Sequence, residues 1–168
     1  MSLSMHTILT QSVERMMESL SKFLDKAEAH AKQKNFDVAV LVNSRLAPDM
    51  LPLSRQIQIV SDTVKGAVAR LTGTEAPKYE DNETTLDELR ERLAKTLAYV
   101  RSVGPAGYEG SEERDITIPT RARGDLKFKG REYLLNFALP NFYFHVTTTY
   151  AILRHNGVEL GKMDYLGA

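Results

Sequence analysis

The chain has 168 residues, and its 22 Lys and Arg balance its 22 Asp and Glu, so the formal net charge is zero. This balance argues against a nucleic-acid or anionic-membrane binder, and the lack of Cys excludes disulfides, thiolate metal ligands and cysteine nucleophiles. A hydrophobic content of 42% is typical of a globular protein, and the length indicates one domain over residues 1–168.

The N-terminal sequence MSLSMHTILTQ has no basic segment before an apolar core, so we expect no secretory signal. No apolar run approaches the ~18–20 residues that span a bilayer. These two features together favour a cytoplasmic protein that does not bind membranes.

The first predicted helix runs from about His6 to Lys34, where apolar residues recur at three- and four-residue steps. Asn35 is a suitable end, because Asn tolerates the left-handed conformation. Asp37 is then expected to cap a short helical turn through residues 38–42.

Ser54 is the expected N-cap of a second long helix, whose apolar stripe runs from Ile57 to Leu71 before Gly73 stops it. Residues 74–84 are predicted to be a polar linker. Thr85 and Glu88 have the spacing of a capping box and predict a third helix, which Gly104-Pro105 ends.

Alternating residues at 115–119 and 125–129 predict two short strands, with a turn at Arg123-Gly124. Two strands are marginal alone, so this ribbon is expected to pack on the helices or on a partner chain. A fourth helix follows from about Arg131 to Asn156-Gly157. Pro140 is expected to kink or interrupt it near residues 136–140, and the tail after Gly157 is expected to be irregular.

Four long amphipathic helices, a long crossover between the second and third, and a β-ribbon before the last predict an all-α four-helix bundle.

His145 is the residue most suited to a site among the four histidines, because helical spacing places it on the inward stripe of the fourth helix. Asn141 precedes it by one turn and Thr149 follows it by one turn. The other three histidines add no ligand within one chain: His6 and His30 are ~36 Å apart along the first helix, and His155 is ~15 Å from His145 along the fourth, so neither pair can share a metal ion.

The second helix offers Gln58 and Asp62, also one turn apart and flanked by apolar residues. Because a buried carboxylate needs a partner, we expect Asp62 to face His145, so that these residues line one pocket with Asn141 and Thr149. Simpler interpretations stay open: His145 could be a satisfied core residue, Asp62 a solvated one, and Asn141 could bond the carbonyl freed by Pro140.

The sequence contains none of the common catalytic motifs, such as HExxH, GxGxxG, a Walker loop or GxSxG. A zinc site needs at least three imidazole, thiolate or carboxylate ligands. His145 and Asp62 supply two, so no cofactor is expected beyond a weakly held divalent metal such as Zn²⁺ or Ni²⁺.

The segment LPNFYFHVTTTYAILRHNGVELGKMDYLG resembles the end of DinB/YfiT-like proteins, whose last helix has a His-x-x-x-His motif followed by Leu-Arg-x-x-Gly-Val. Aligned on Leu153 to Val158, the second family histidine falls on His145 and the first on Asn141. The resemblance extends from about Met5 to Gly167. It is strongest to an uncharacterised branch with segments similar to LPLSRQIQIVSD and GKMDYLG.

This resemblance implies an up-down-down-up four-helix bundle that often forms a homodimer. Many members hold a divalent metal with three histidines, and some are thiol-dependent transferases or related metalloenzymes. Here Asn141 replaces one histidine, and the second helix offers only Gln58, Ser61 and Asp62 near the remaining position.

Three functional hypotheses follow. In the first, the metal site has been remodelled into a metal-free polar pocket that binds a small molecule. In the second, the protein is a metal-dependent enzyme of the thiol-transferase or hydrolase type, with the ion held by His145, Asp62 and water. In the third, it is a structural homodimer joined through the ribbon at 115–129 and the apolar stripe of the first helix.

Overall fold

The computed structural model describes residues 3–120 and 124–167. Four long helices dominate it, and shorter helices and one ribbon connect them. The helices are α1 (Met5–Lys34), α2 (Ala39–Val42), α3 (Leu53–Thr72), α4 (Leu86–Ser102), α5 (Gly130–Tyr133), α6 (Leu139–His155) and α7 (Lys162–Leu166); the strands are β1 (Asp115–Ile118) and β2 (Leu126–Lys129).

The four long helices form a square, in which α1 and α3 each pack against both α4 and α6. α1 runs antiparallel to α4, because Arg90 pairs with Asp25 while Arg101, further along α4, pairs with the earlier Glu14. α1 runs parallel to α6, since Phe23 contacts Tyr150 and Lys26 bonds the backbone of Glu159. The order is therefore up-down-down-up, as predicted.

Most of the predicted helix caps and helix ends are confirmed. Asn35 closes α1 with a φ of 56°, and Gly73 closes α3 with a φ of 72°. Asp37 accepts the backbone N–H of Ala39 at 2.8 Å, and so caps the short α2. The prediction for Ser54 was wrong: the N-cap of α3 is Pro52, two residues earlier, and no side chain caps the helix.

The predicted ribbon is present, with β1 and β2 antiparallel and Ile116 opposite Phe128. Gly124 has a φ of 71°, which suits glycine at the turn, whereas Arg123 lies outside the described residues. Ile116 is buried and Phe128 packs against the core, so the ribbon lies on the helices of its own chain.

Pro140 interrupts the helical hydrogen bonding as predicted. Residues Leu134–Ala138 form a π-turn between α5 and α6, and Pro140 lies in the first turn of α6. Proline has no N–H to donate and its ring crowds the carbonyl four residues back, so the wider turn relieves both problems.

The tail is helical rather than irregular, because residues 162–166 form α7, which packs on α1. Tyr165 bonds Thr147 of α6 at 2.9 Å and Asp164 pairs with Lys26 of α1 at 2.7 Å. These contacts between elements distant in sequence stabilise a helix of five residues, which is too short to be stable alone.

The core lies inside the square, and the apolar stripe of α1 is buried there from Met5 to Ala31. This position corrects the third hypothesis, because a stripe buried within its own chain is not free to form an interface. Among the described residues, no helix is both long and apolar enough to cross a membrane.

Candidate functional site

A polar seam crosses the interface between α3 and α6. His145 Nδ1 lies 2.7 Å from Gln56 Oε1, and Asn141 donates to Thr63 Oγ1 at 2.8 Å. Asn141 and His145 are one turn apart on α6, while Gln56 and Thr63 are seven residues apart on the same face of α3. The seam therefore consists of two matched polar pairs between antiparallel helices.

Gln56 connects His145 to the loop before α3. Its amide nitrogen donates to the Leu51 carbonyl at 2.9 Å, while its Oε1 contacts the imidazole. The side chain is only 2% exposed. Because a buried amide left unpaired costs free energy, these two bonds hold both the loop and the His145 ring in position.

His145 is half-buried, and burial lowers the pKa of its imidazole below the usual 6.5. Its Nε2 makes no hydrogen bond to any residue in the described part of the chain. The ring is therefore neutral near pH 7, with one nitrogen bonded to protein and the other available.

Gln58 and Asp62 do not join this seam. Two positions along a helix correspond to a rotation of about 200°, so Gln58 lies on the opposite side of α3 from Gln56. Asp62, one turn after Gln58, points the same way and pairs with Arg92 of α4 at 2.8 Å. The expectation that Asp62 faces His145 was therefore wrong, because Gln58 and Asp62 lie on the side of α3 that faces α4 rather than α6.

Arg92 is the centre of a second polar cluster, between α3 and α4. It is 2% exposed and pairs with Glu83 at 2.8 Å and with Asp81 at 3.0 Å, in addition to Asp62. Burial would lower the pKa of Arg92, but the hydrogen bond to Glu83 and the neighbouring carboxylates raise it. The guanidinium is thus held charged inside the protein.

The loop at 74–84, which the sequence predicts to be a polar linker, is held against this cluster. The Tyr79 ring contacts two cations, with Lys65 Nζ 4.3 Å and Arg92 Cζ 5.3 Å from its ring centre. Lys65 also donates to the Pro77 carbonyl at 3.0 Å. Arg92 and Lys65 therefore hold the crossover against the bundle, and both pair with Asp62. The Gln58 amide donates to Glu83 at 2.8 Å and accepts from Arg55.

Thr149 is fully buried, and its hydroxyl donates to the His145 carbonyl at 2.9 Å. This bond lies within α6 and spans four residues, as is common for threonine in helices. Thr149 is thus below His145 on the inward face, but its polar atom is directed to the backbone rather than into a pocket.

The residues of the seam do not fit the divalent metal that the family resemblance implies. The donors there are one imidazole, two amides and a hydroxyl, whereas zinc sites use several imidazole, thiolate or carboxylate ligands. Asp62, the nearest expected carboxylate, is paired with Arg92. Over residues 3–120 and 124–167, no three His, Asp or Glu side chains converge on a position that could hold a metal ion.

Sequence reasoning missed Gln56, Thr63 and Arg92. The signal for the first two was their seven-residue spacing, which places them on the same face of α3. The signal for Arg92 was its position within the leucine stripe of α4, beside Leu93, after a linker rich in Glu and Asp. A charge in an apolar stripe needs such partners.

The outer face of α6 is exposed and apolar. Phe144 is 56% exposed and Tyr143 is 36% exposed, and the small residues Thr147 and Ala151 follow on the same side. A shallow concavity of about 340 Å³ lies among these residues and Leu46. No Asp, Glu, Lys or Arg occurs from residue 133 to residue 153, although a helix face in contact with water is normally charged or polar.

Comparisons with known proteins agree with this architecture. The family model for the "Domain of unknown function (DUF1993)" matches residues 5–166. A crystal structure of a DinB family member from Shewanella denitrificans is 48% identical in sequence and covers 95% of this chain and 89% of its own, with a TM-score of 0.87. Comparison with curated protein sequences gave no match. The chain belongs to the DUF1993 family, an uncharacterised branch of the DinB-like superfamily.

Proposed function

We propose that this DinB-like bundle binds a small polar molecule at the seam between α3 and α6, and that it does so without a resident metal. The observation that supports the proposal is the state of His145. The ring is half-buried, one nitrogen is bonded to Gln56, and Nε2 has no partner among the described residues. Such a group gains a hydrogen bond when a ligand arrives.

The surroundings of His145 suit a ligand with an apolar part. Phe144 contacts the imidazole edge-on, with ring centres 5.1 Å apart, and is itself largely exposed. Aromatic surface beside one polar anchor is a common composition for a small-molecule site. The two polar pairs of the seam consist of uncharged side chains, so they offer no ion pair to a charged ligand.

Phenol is a suitable probe, because it combines an apolar ring with one hydroxyl donor. We expect phenol to shift the ¹⁵N resonance of His145 Nε2 with a dissociation constant on the order of 1 mM. Anisole, which has the same ring without the hydroxyl hydrogen, is the matched control and should leave that resonance in place. Equal shifts with both probes, or with neither, would contradict the proposal.

The metal-dependent alternative is tested by the metal content of protein purified without a polyhistidine tag. We expect less than one equivalent of any divalent ion, with no difference between the wild type and His145→Ala. Stoichiometric zinc or nickel that is lost in His145→Ala would overturn the metal-free proposal and favour an enzyme of the transferase or hydrolase type.

A second function, homodimerisation, is favoured by the outer face of α6. Residues 133–153 include no Asp, Glu, Lys or Arg; a helical segment without charge on any side is normally buried, and exposed aromatic side chains are enriched in protein interfaces. We propose that a second copy of the chain covers Tyr143 and Phe144.

The face of α6 has both an exposed aromatic side chain and a depression. Phe144 is largely exposed, and the concavity that it borders is lined further along the helix by Thr147 and Ala151. Two copies related by a two-fold axis between these positions would each place Phe144 in the concavity of the other, because an isologous interface exchanges contacts reciprocally. Leu46 would border each concavity.

Sedimentation velocity at micromolar concentration tests the dimer. We expect the wild type to be dimeric and Phe144→Asp to be monomeric, since a buried unpaired charge is costly in an interface. Ala94→Asp is the matched control, because Ala94 is exposed on α4, at the opposite corner of the square. A wild-type monomer, or an equal effect of both variants, would reject this interface.

A further inference from the structure

We infer that Gln56 is a positioning residue that fixes His145 in one neutral tautomer, with the hydrogen on Nδ1 and the lone pair on Nε2. The seam then takes ligands that donate a hydrogen bond, such as hydroxyl or amide N–H compounds. The ligand class rests on the proposed function, whereas the tautomer does not.

The orientation of the Gln56 amide is the first step. One end of this amide lies 2.9 Å from the carbonyl oxygen of Leu51. A carbonyl oxygen only accepts hydrogen bonds, so that end must be the NH₂ group. The opposite flip would place two acceptor oxygens against each other in a buried position, which costs free energy.

The tautomer is the second step. With its NH₂ group directed at Leu51, Gln56 presents Oε1 to the imidazole, 2.7 Å from His145 Nδ1. Oε1 is also only an acceptor, so Nδ1 must donate, and a neutral ring then has its lone pair on Nε2. The backbone of a loop thus determines, through one amide, which nitrogen of His145 is free.

The neutral charge state is the third step. No described carboxylate pairs with the ring, because Asp62 on α3 is turned toward Arg92, and α6 has no acidic or basic side chain near it. Burial disfavours the imidazolium without such a partner. A carboxylate or phosphate ligand would therefore meet a lone pair, which it repels, whereas a hydroxyl or amide donor would bond to it.

The test is the tautomer in the ligand-free full chain, measured by long-range ¹H–¹⁵N correlation after labelling histidine with ¹⁵N. We expect a single neutral tautomer for His145 at pH 8, with hydrogen on Nδ1, assigned by its absence in His145→Gln. Hydrogen on Nε2, or a mixture of the two tautomers, would overturn the inference.

Two substitutions separate positioning from general structure. Gln56→Leu removes the acceptor, so the Nε2–H form should appear. Gln56→Glu loses the donation to the Leu51 carbonyl but keeps an acceptor beside the ring, so Nδ1–H should persist and the pKa of His145 should rise by about one unit or more. Gln58→Leu is the control, because this buried amide lies on the other side of α3, and it should leave the tautomer unchanged.

These results remain separable from those for ligand binding. If phenol does not bind but the Nδ1–H tautomer is found, the binding proposal fails and the role of Gln56 stands. If phenol binds to a ring of mixed tautomers, the role of Gln56 fails and the binding proposal stands.

Discussion

Arg92 Nη2 and Asp62 Oδ1 lie 2.8 Å apart, and this ion pair joins α4 to α3. It accounts for two features of the protein together. It holds the carboxylate of Asp62 away from His145, and it places a buried cation beneath the crossover at 74–84. The seam at His145 is left without an acidic partner, so its chemistry differs from that of a carboxylate–imidazole pair.

Arg92→Ala is expected to destabilise the fold by about 3 kcal/mol, because removing one side of a buried ion pair leaves the other uncompensated. Glu83 is the carboxylate most affected, since it is itself largely buried. The free energy of unfolding in urea measures the loss. Arg90→Ala is the matched control: Arg90 pairs with more exposed carboxylates, so we expect about 1 kcal/mol or less. Equal losses would contradict the central role of Arg92.

Asp62→Asn is expected to leave the titration of His145 unchanged, because Asp62 faces Arg92 across the other side of α3. An NMR pH titration of the imidazole resonances measures this directly. Gln56→Glu, which places a carboxylate beside the ring, provides the positive control. A fall of one unit in the pKa of His145 in Asp62→Asn would mean that the two residues interact after all.

The stability of the protein is expected to depend on pH through His145. Its pKa is lowered in the folded state by burial, so the unfolded chain binds the proton more readily. The contribution of His145 to the free energy of unfolding should be fully present above about pH 6.5, the usual pKa of the imidazole. It should be lost as the pH falls through the lower pKa of the folded state. Across this pH window, the free energy of unfolding should change less steeply with pH in His145→Gln than in the wild type. The slope should persist in His155→Gln, which alters an exposed histidine.

Gly130→Ala is expected to destabilise the protein by about 1–3 kcal/mol through overpacking. A Cβ at this position would lie 1.8 Å from the carbonyl oxygen of Ser111, so the backbone would have to move. A loss of stability would be informative, because replacing glycine by alanine in a helix normally raises the free energy of unfolding. Gly104→Ala is the control, since its Cβ would meet nothing within 4 Å, and it should be close to neutral in thermal unfolding.

The local elements could be predicted from the sequence because their signals are local. Each of these elements depends on neighbours within a few positions. They are the stripe of α1, the left-handed residue Asn35, the capping box of Thr85 and Glu88, and the interruption before Pro140. Helical periodicity and capping express the same short-range geometry in the sequence and in the structure. The four-helix bundle was predicted from these elements and from the family resemblance of the segment around His145.

The partners of the polar side chains were decided by the tertiary structure alone. Periodicity showed that Gln58 and Asp62 share one side of α3, but not whether that side meets α4 or α6. The answer depends on the rotation of α3 about its axis, which is set by the packing of its whole apolar face and by the buried Arg92. For the same reason Gln56 became the partner of His145, and the five-residue helix α7 formed only because α1 and α6 give it a surface on which to pack.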